Sequence, residues 1–218
     1  MNDLANIHES KKWVMDGKIE RTLTALKRNG FKTIFVQNRR DALESLLKLI
    51  PSKARVGVGG SITVRELGTI EALVARGNTV AQHWLAPTPQ ESEKKMKEEM
   101  SSEIYVTSVN AVTEDGKIVN TDDTGNRIAA MIFGPPQVIL VAGVNKIVKD
   151  VNEGFQRVRN VAAPMNSKRL KLKTPCAITG LCTDCESPER ICRVSAIIER
   201  RPRKTDITMI LVGEDLGF

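Results

Sequence analysis

The chain has 218 residues, with 33 Lys and Arg against 26 Asp and Glu, a net charge of +7 and 4% aromatic residues. That length suffices for one substantial core burying about 70% of the unfolded surface, and no apolar run reaches the roughly 20 residues of a membrane-spanning helix. The start, Met1-Asn-Asp-Leu-Ala, lacks the basic and apolar regions of a signal peptide, so a cytoplasmic protein is expected.

Residues 3–29 read as a helix, with Ile7, Val14, Ile19, Leu23 and Leu26 among polar positions and Asn29-Gly30 as its stop. Thr33–Val36 is a short strand. Asn38 then N-caps a helix over Arg39–Leu49, whose Ala42, Leu43, Leu46 and Leu47 form one apolar stripe. Arg55-Val-Gly-Val-Gly-Gly-Ser61 is a strand running into glycines, followed by a helix over 63–76. Strand, glycine turn and helix together can aim backbone N–H groups at an anion, although a tight bend alone also explains the pattern. The turn is neither a P-loop nor a dinucleotide fingerprint.

Residues 77–87 form a connection carrying His83, one of two histidines, beside Trp84; a structural role is its simplest reading, and it is also the one imidazole expected to be able to serve a site. Thr88 caps a charged helix that begins at Pro89. Tyr105-Val-Thr, Ala111-Val-Thr and Lys117-Ile-Val read as short extended segments, the last two joined by the turn Glu114-Asp115-Gly116. The polar stretch Asn120–Arg127 leads into the apolar run Ile128–Phe133, stopped by Gly134-Pro135-Pro136. Val138–Val144 is apolar throughout, as a strand covered on both faces requires. Polar groups thus gather at the ends of buried strands, where open α/β sheets place ligands; capping and pairing within the loop is the alternative. A helix over 150–161 follows, then an irregular segment, and 195–200 and 207–212 read as a terminal hairpin.

Alternating strands and helices over 33–144 predict an α/β domain with a largely parallel sheet and helices on both faces. The expected divisions are an N-terminal helical segment (1–30), the α/β core (31–160) and a cysteine-rich segment with a hairpin (161–218).

All four cysteines fall in one 17-residue window, Cys176-x5-Cys182-x2-Cys185-x6-Cys192. Such clustering points to metal rather than disulfides, and four thiolates suit Zn²⁺ or an iron–sulfur cluster. Residues 155–204 carry twelve Lys and Arg against four acids, a local +8. That stretch can attract an anionic ligand, an acidic partner or nucleic acid. The shortage of aromatic residues argues against a single-strand nucleic-acid binder.

The segments "VGVGGSITVRELG", "SVNAVTEDGKIVNTDDTGNRIAAMIFGPPQVILVAGVNKIV", "TPCAITGLCTDCESPERIC" and "ILVGEDLGF" resemble the LUD-domain family, the lactate-utilisation proteins. Its fold relatives are ribose-5-phosphate isomerase, the CoA transferases and the glucosamine-phosphate deaminases. The resemblance implies that Gly59, Gly60 and Ser61 face a small carboxylate or phosphorylated ligand. Glu66 is next in line, and Asn110, Asn126 and Arg127 are expected to contribute from the polar stretch. The cysteine window resembles the family's short branch, which is associated with iron–sulfur oxidoreductase partners, and this favours iron over zinc.

Three functions follow as expectations. The first is a lactate-utilisation type subunit or accessory of an iron–sulfur oxidoreductase, able to form homo-oligomers. The second is a stand-alone isomerase- or CoA-transferase-like enzyme with Glu114, Asp115 or Asp123 as acid–base groups. The third is a basic nucleic-acid-binding module.

Overall fold

The structure, a computed structural model, describes residues 2–218. Helix α1 (Asn2–Arg28) leads into β1 (Lys32–Val36), α2 (Arg39–Leu49), β2 (Arg55–Val58), α3 (Ile62–Glu66), α4 (Thr69–Ala75), β3 (Thr79–Ala81), α5 (Pro89–Met100) and β4 (Ile104–Ser108). There follow β5 (Ala111–Thr113), β6 (Ile118–Asp122), α6 (Asn126–Phe133), β7 (Gln137–Gly143), β8 (Ile147–Val148), α7 (Val151–Arg157), α8 (Ala163–Arg169), α9 (Pro175–Thr179), β9 (Val194–Ile198) and β10 (Asp206–Val212).

Six strands form one parallel sheet in the order β1-β10-β7-β4-β2-β3. Its central strands are apolar on both faces because each face carries its own core. Along β7 and β10, Leu140, Met209 and Leu211 point to the layer containing Leu26, Phe31 and Met131. The alternate residues Ile139, Val141, Ile210 and Val212 meet Leu46, Val58, Val64 and Leu73 on the other side. This is strand periodicity read out as two layers. A second sheet, β8-β5-β6-β9, lies along the first of these layers.

Local signals behave as expected at several ends. Asn38 accepts the Asp41 N–H at 3.0 Å, and Thr88 accepts that of Glu91 at 3.2 Å ahead of Pro89. Gly116 turns β5 into β6 with φ +83, where a Cβ would strike the backbone of Ala25. Other boundaries differ. The helix expected over 63–76 is two, parted at Gly68, whose φ of +68 belongs to the left-handed region. Thr79–Ala81, expected as loop, is the edge strand β3. The helix over 150–161 continues through a π turn at Val158–Ala162 into α8, in the stretch expected to be irregular.

The terminal hairpin does not form. β9 pairs antiparallel with β6 in the small sheet, while β10 lies between β1 and β7 in the large one. The core expected over 31–160 is therefore completed by a strand from the segment expected to pack on it as a hairpin. Among the described residues no helix is long and apolar enough to cross a membrane.

Candidate functional site

A cavity of ≈ 720 Å³ opens at the carboxyl ends of four neighbouring parallel strands, the usual ligand position in open α/β sheets. Its volume lies within the range of small-molecule sites. β2 delivers Gly60 and Ser61, β3 delivers His83 and Trp84, β4 delivers Ser108 and Asn110, and β7 delivers Lys146.

Lys146 was not foreseen. It is 3% exposed, and its Nζ donates to Thr63 Oγ1 (2.8 Å), Ser108 Oγ (2.9 Å) and the Val109 carbonyl (3.1 Å). Three acceptors match the three N–H bonds of an ammonium. Burial, and after it the charges of Arg157 and Arg127, holds its pKa well below the usual lysine range. Its only sequence signal is a lysine two residues after the apolar run that ends at Val144.

Arg65 and Arg169 add to the cationic wall. Arg65 lies over the Trp84 ring at 5.5 Å, and Arg169 is held by Asn166 Oδ1 at 2.8 Å. Burial, then the charge of Arg65, lowers the Arg169 pKa. Among the described residues, neither of these arginines nor Lys146 has a carboxylate partner. Two arginines without a carboxylate partner on one wall favour an anion.

The polar stretch reaches the same cavity from the small sheet rather than from the large one. Asp123, Asn126 and Arg127 line it and meet Asn110 there. Arg127 was expected to clamp a ligand, but its guanidinium is committed internally. It donates to Asp122 Oδ1 at 2.6 and 2.8 Å, to Asn110 Oδ1 at 2.9 Å, and to the carbonyls of Thr121 and Ser108 at 3.0 and 3.2 Å. Asn110 also accepts the Thr121 N–H at 2.8 Å. These residues shape the wall. Asp123 pairs with Arg193 at 3.0 Å.

The other expected site residues divide. Ser61 lines the cavity and caps α3 by accepting the Val64 N–H at 3.2 Å. Gly59 faces inward, where a Cβ would lie 2.1 Å from the Tyr105 hydroxyl, so packing and not ligand approach requires glycine there. Glu66 is exposed and accepts the Gly217 N–H at 2.9 Å, holding the C-terminal tail. Glu114 and Asp115, expected as acid–base groups, sit on the β5–β6 turn outside the cavity wall. Glu114 is paired with Arg21 at 2.6 Å, and Asp115 with Lys117 at 3.0 Å and with the Thr113 hydroxyl.

All four cysteines line a second, small cavity of ≈ 20 Å³, room for about one water- or ion-sized occupant. Arg190 ties this loop together, donating to the carbonyls of Cys185 (2.7 Å) and Cys192 (2.8 Å) and to Asp184 (2.7 Å). Burial pushes the Cys192 thiol up. Among the described residues no group of three or more His, Cys, Asp and Glu is arranged to hold a metal ion. The donor set itself, four thiols around one void, suits a soft metal. The two cavities share Ala163, Ile191 and Cys192. The pairing of β9 with β6 causes this, since Asp122 faces Val194 in the register and Arg193 N–H donates to the Asp122 carbonyl at 3.0 Å.

Comparison with known proteins agrees with the fold. A crystal structure of a DUF162 family protein from Deinococcus radiodurans superposes with a TM-score of 0.54 at 16% identity, covering 91% of this chain and 98% of that one. No curated protein matches. The model of the LUD domain matches residues 19–212, and the chain belongs to the LUD-domain family.

Proposed function

We propose that this protein is a lactate-utilisation type component of an oxidoreductase system. It binds a small carboxylate or phosphorylated ligand in the large cavity and a metal centre at Cys176, Cys182, Cys185 and Cys192. The observation carrying the reading is the shared wall: Cys192 borders both the thiol cavity and the cationic one. Arg65 and Arg169 would hold the anion, with the guanidinium forks matching carboxylate or phosphate oxygens, while Lys146 fixes the Thr63 and Ser108 hydroxyls beside them. Asp123 and Asn126 would orient the uncharged end of the ligand.

The cysteines would supply the metal ligands, and an iron–sulfur cluster, when bound, supplies one-electron transfer. The void as it stands takes one ion, so a cluster requires the loop from 176 to 192 to widen. That loop is short of buried apolar residues, and ligation would order it. Partner subunits bearing iron–sulfur clusters would exchange electrons with it.

The test is metal analysis with a visible spectrum on protein purified without oxygen. Iron with thiolate-to-iron charge-transfer absorption supports the redox reading. Zinc keeps the metal site and removes the redox role, and a metal-free protein with four free thiols removes both. Cys185→Ser should lower metal content and open residues 176–192 to protease while the α/β core keeps its melting temperature. Calorimetric titration with lactate and with a sugar phosphate tests the cavity, and Arg169→Ala should weaken either ligand about tenfold.

A further inference from the structure

His83, the residue that follows β3 into the cavity, is not isolated. Its Nδ1 lies 2.7 Å from Oε1 of Glu99, whose side chain is 1% exposed. Burial pushes the Glu99 carboxyl above the usual carboxylate range, and the hydrogen bond with His83 opposes that shift. With Glu99 ionised, the proton sits on Nδ1 and is donated to Oε1. The Nε2 lone pair is then free.

That second nitrogen faces Gly60. A Cβ built there would stand 3.4 Å from Nε2, so the glycine leaves this side of the ring open to the cavity that both residues line. Trp84 meets the imidazole edge-on at 5.6 Å, and Arg65 lies over the same indole. An anion-binding guanidinium and an oriented imidazole are therefore built around one tryptophan. A buried carboxylate fixing a histidine whose other nitrogen faces a ligand cavity is the arrangement of a general base.

We propose that His83 is the catalytic base of this cavity, positioned by Glu99, and that it removes a proton from carbon next to the carbonyl of a small anion. This rests on the anion-binding half of the function proposed above and is independent of the cysteines. Nε2 takes the proton as the C–H bond breaks. The bonding pair becomes the enolate C=C, and the carbonyl pair moves to oxygen, where the cationic wall opposes the charge. The imidazolium, after exchanging its proton with solvent, returns one to the same carbon as the carbonyl re-forms. No oxidant or reductant is consumed.

Solvent exchange tests this without knowledge of the natural substrate. Pyruvate and dihydroxyacetone phosphate, the carboxylate and phosphate probes, are incubated with the protein in D₂O, and deuterium uptake is followed by mass spectrometry. The wild-type protein should accelerate uptake into one of them. His83→Ala should lower that rate about 10²-fold or more, and added imidazole should restore part of it, which a merely structural histidine would not allow. Glu99→Gln should lower kcat with KM nearly unchanged. Calorimetry on the same probes separates the two ideas. Binding without exchange, or exchange at the wild-type rate in His83→Ala, overturns the base and leaves the anion site standing. Failure of both probes to bind overturns the anion site and the base with it. An unchanged kcat in Glu99→Gln overturns the positioning role.

Discussion

Two adjacent glycines show how differently one motif can be used. Gly59 backs onto the Tyr105 hydroxyl, whereas Gly60 opens onto His83. Neither adopts the left-handed φ that would demand glycine for backbone reasons. Gly59→Ala should therefore cost about 1–3 kcal/mol by overpacking, measured by denaturant unfolding. Gly60→Val should unfold at nearly the wild-type midpoint while losing anion binding in calorimetry. Lys146 makes a second residue-scale case. Its pKa is depressed in the fold, so between that value and about 10.4 the unfolded chain binds more protons, and stability rises with pH through that window. Lys146→Met removes the buried amine at similar volume. It should leave stability within about 1 kcal/mol of wild type or raise it, abolish this part of the pH dependence, and weaken anion binding. Comparing melting curves at neutral and alkaline pH with the two titrations checks all three.

At the scale of elements, β9 and β10 have similar apolar content and opposite structural weight. β10 is buried between β1 and β7, with Ile207, Met209, Ile210 and Leu211 all 0% exposed. β9 is an edge of the small sheet, and its Ile197 is 42% exposed. Ile210→Ala should cost about 2–5 kcal/mol through lost burial and a cavity, and Ile197→Ala no more than about 0.5 kcal/mol. Paired denaturant curves decide this. Equal losses would mean that the two strands stabilise the fold alike. What β9 does instead is bring Cys192 to the cavity wall and Arg193 to Asp123.

For the whole molecule, the basic C-terminal third is less of a free surface than its charge suggests. Arg157 donates to the carbonyls of Asn145 and Asn110, Arg190 stitches the cysteine loop, Arg193 pairs with Asp123, and Arg201 donates to the Pro202 and Thr205 carbonyls. Arg169 faces the cavity. Internal bonds and the cavity wall thus account for part of the +8, which weakens the reading of this stretch as a nucleic-acid surface. The same segment lies beyond the expected boundary at 160 and supplies β10 to the central sheet, so the core does not end at that boundary.

Sequence alone determined the α/β class, the caps at Asn38 and Thr88, the doubly buried strand after Pro136 and the polar stretch around Arg127. Each is written in local periodicity or in a side chain's reach over two or three residues. It also isolated the cysteine window, because composition needs no coordinates. Tertiary structure decided the rest. Which strand neighbours which is not a local property, so the hairpin expected from two adjacent apolar runs gave way to two sheets. Whether a polar residue faces a ligand or another residue depends on partners distant in the chain. Arg21 claims Glu114 across 93 positions, and Gly217 claims Glu66 across 151. The lone His83 acquires a chemical role only because Glu99, sixteen residues on, is folded back against its ring and desolvated there. Lys146 joins the cavity wall only when α3 and the end of β4 close hydroxyls around it.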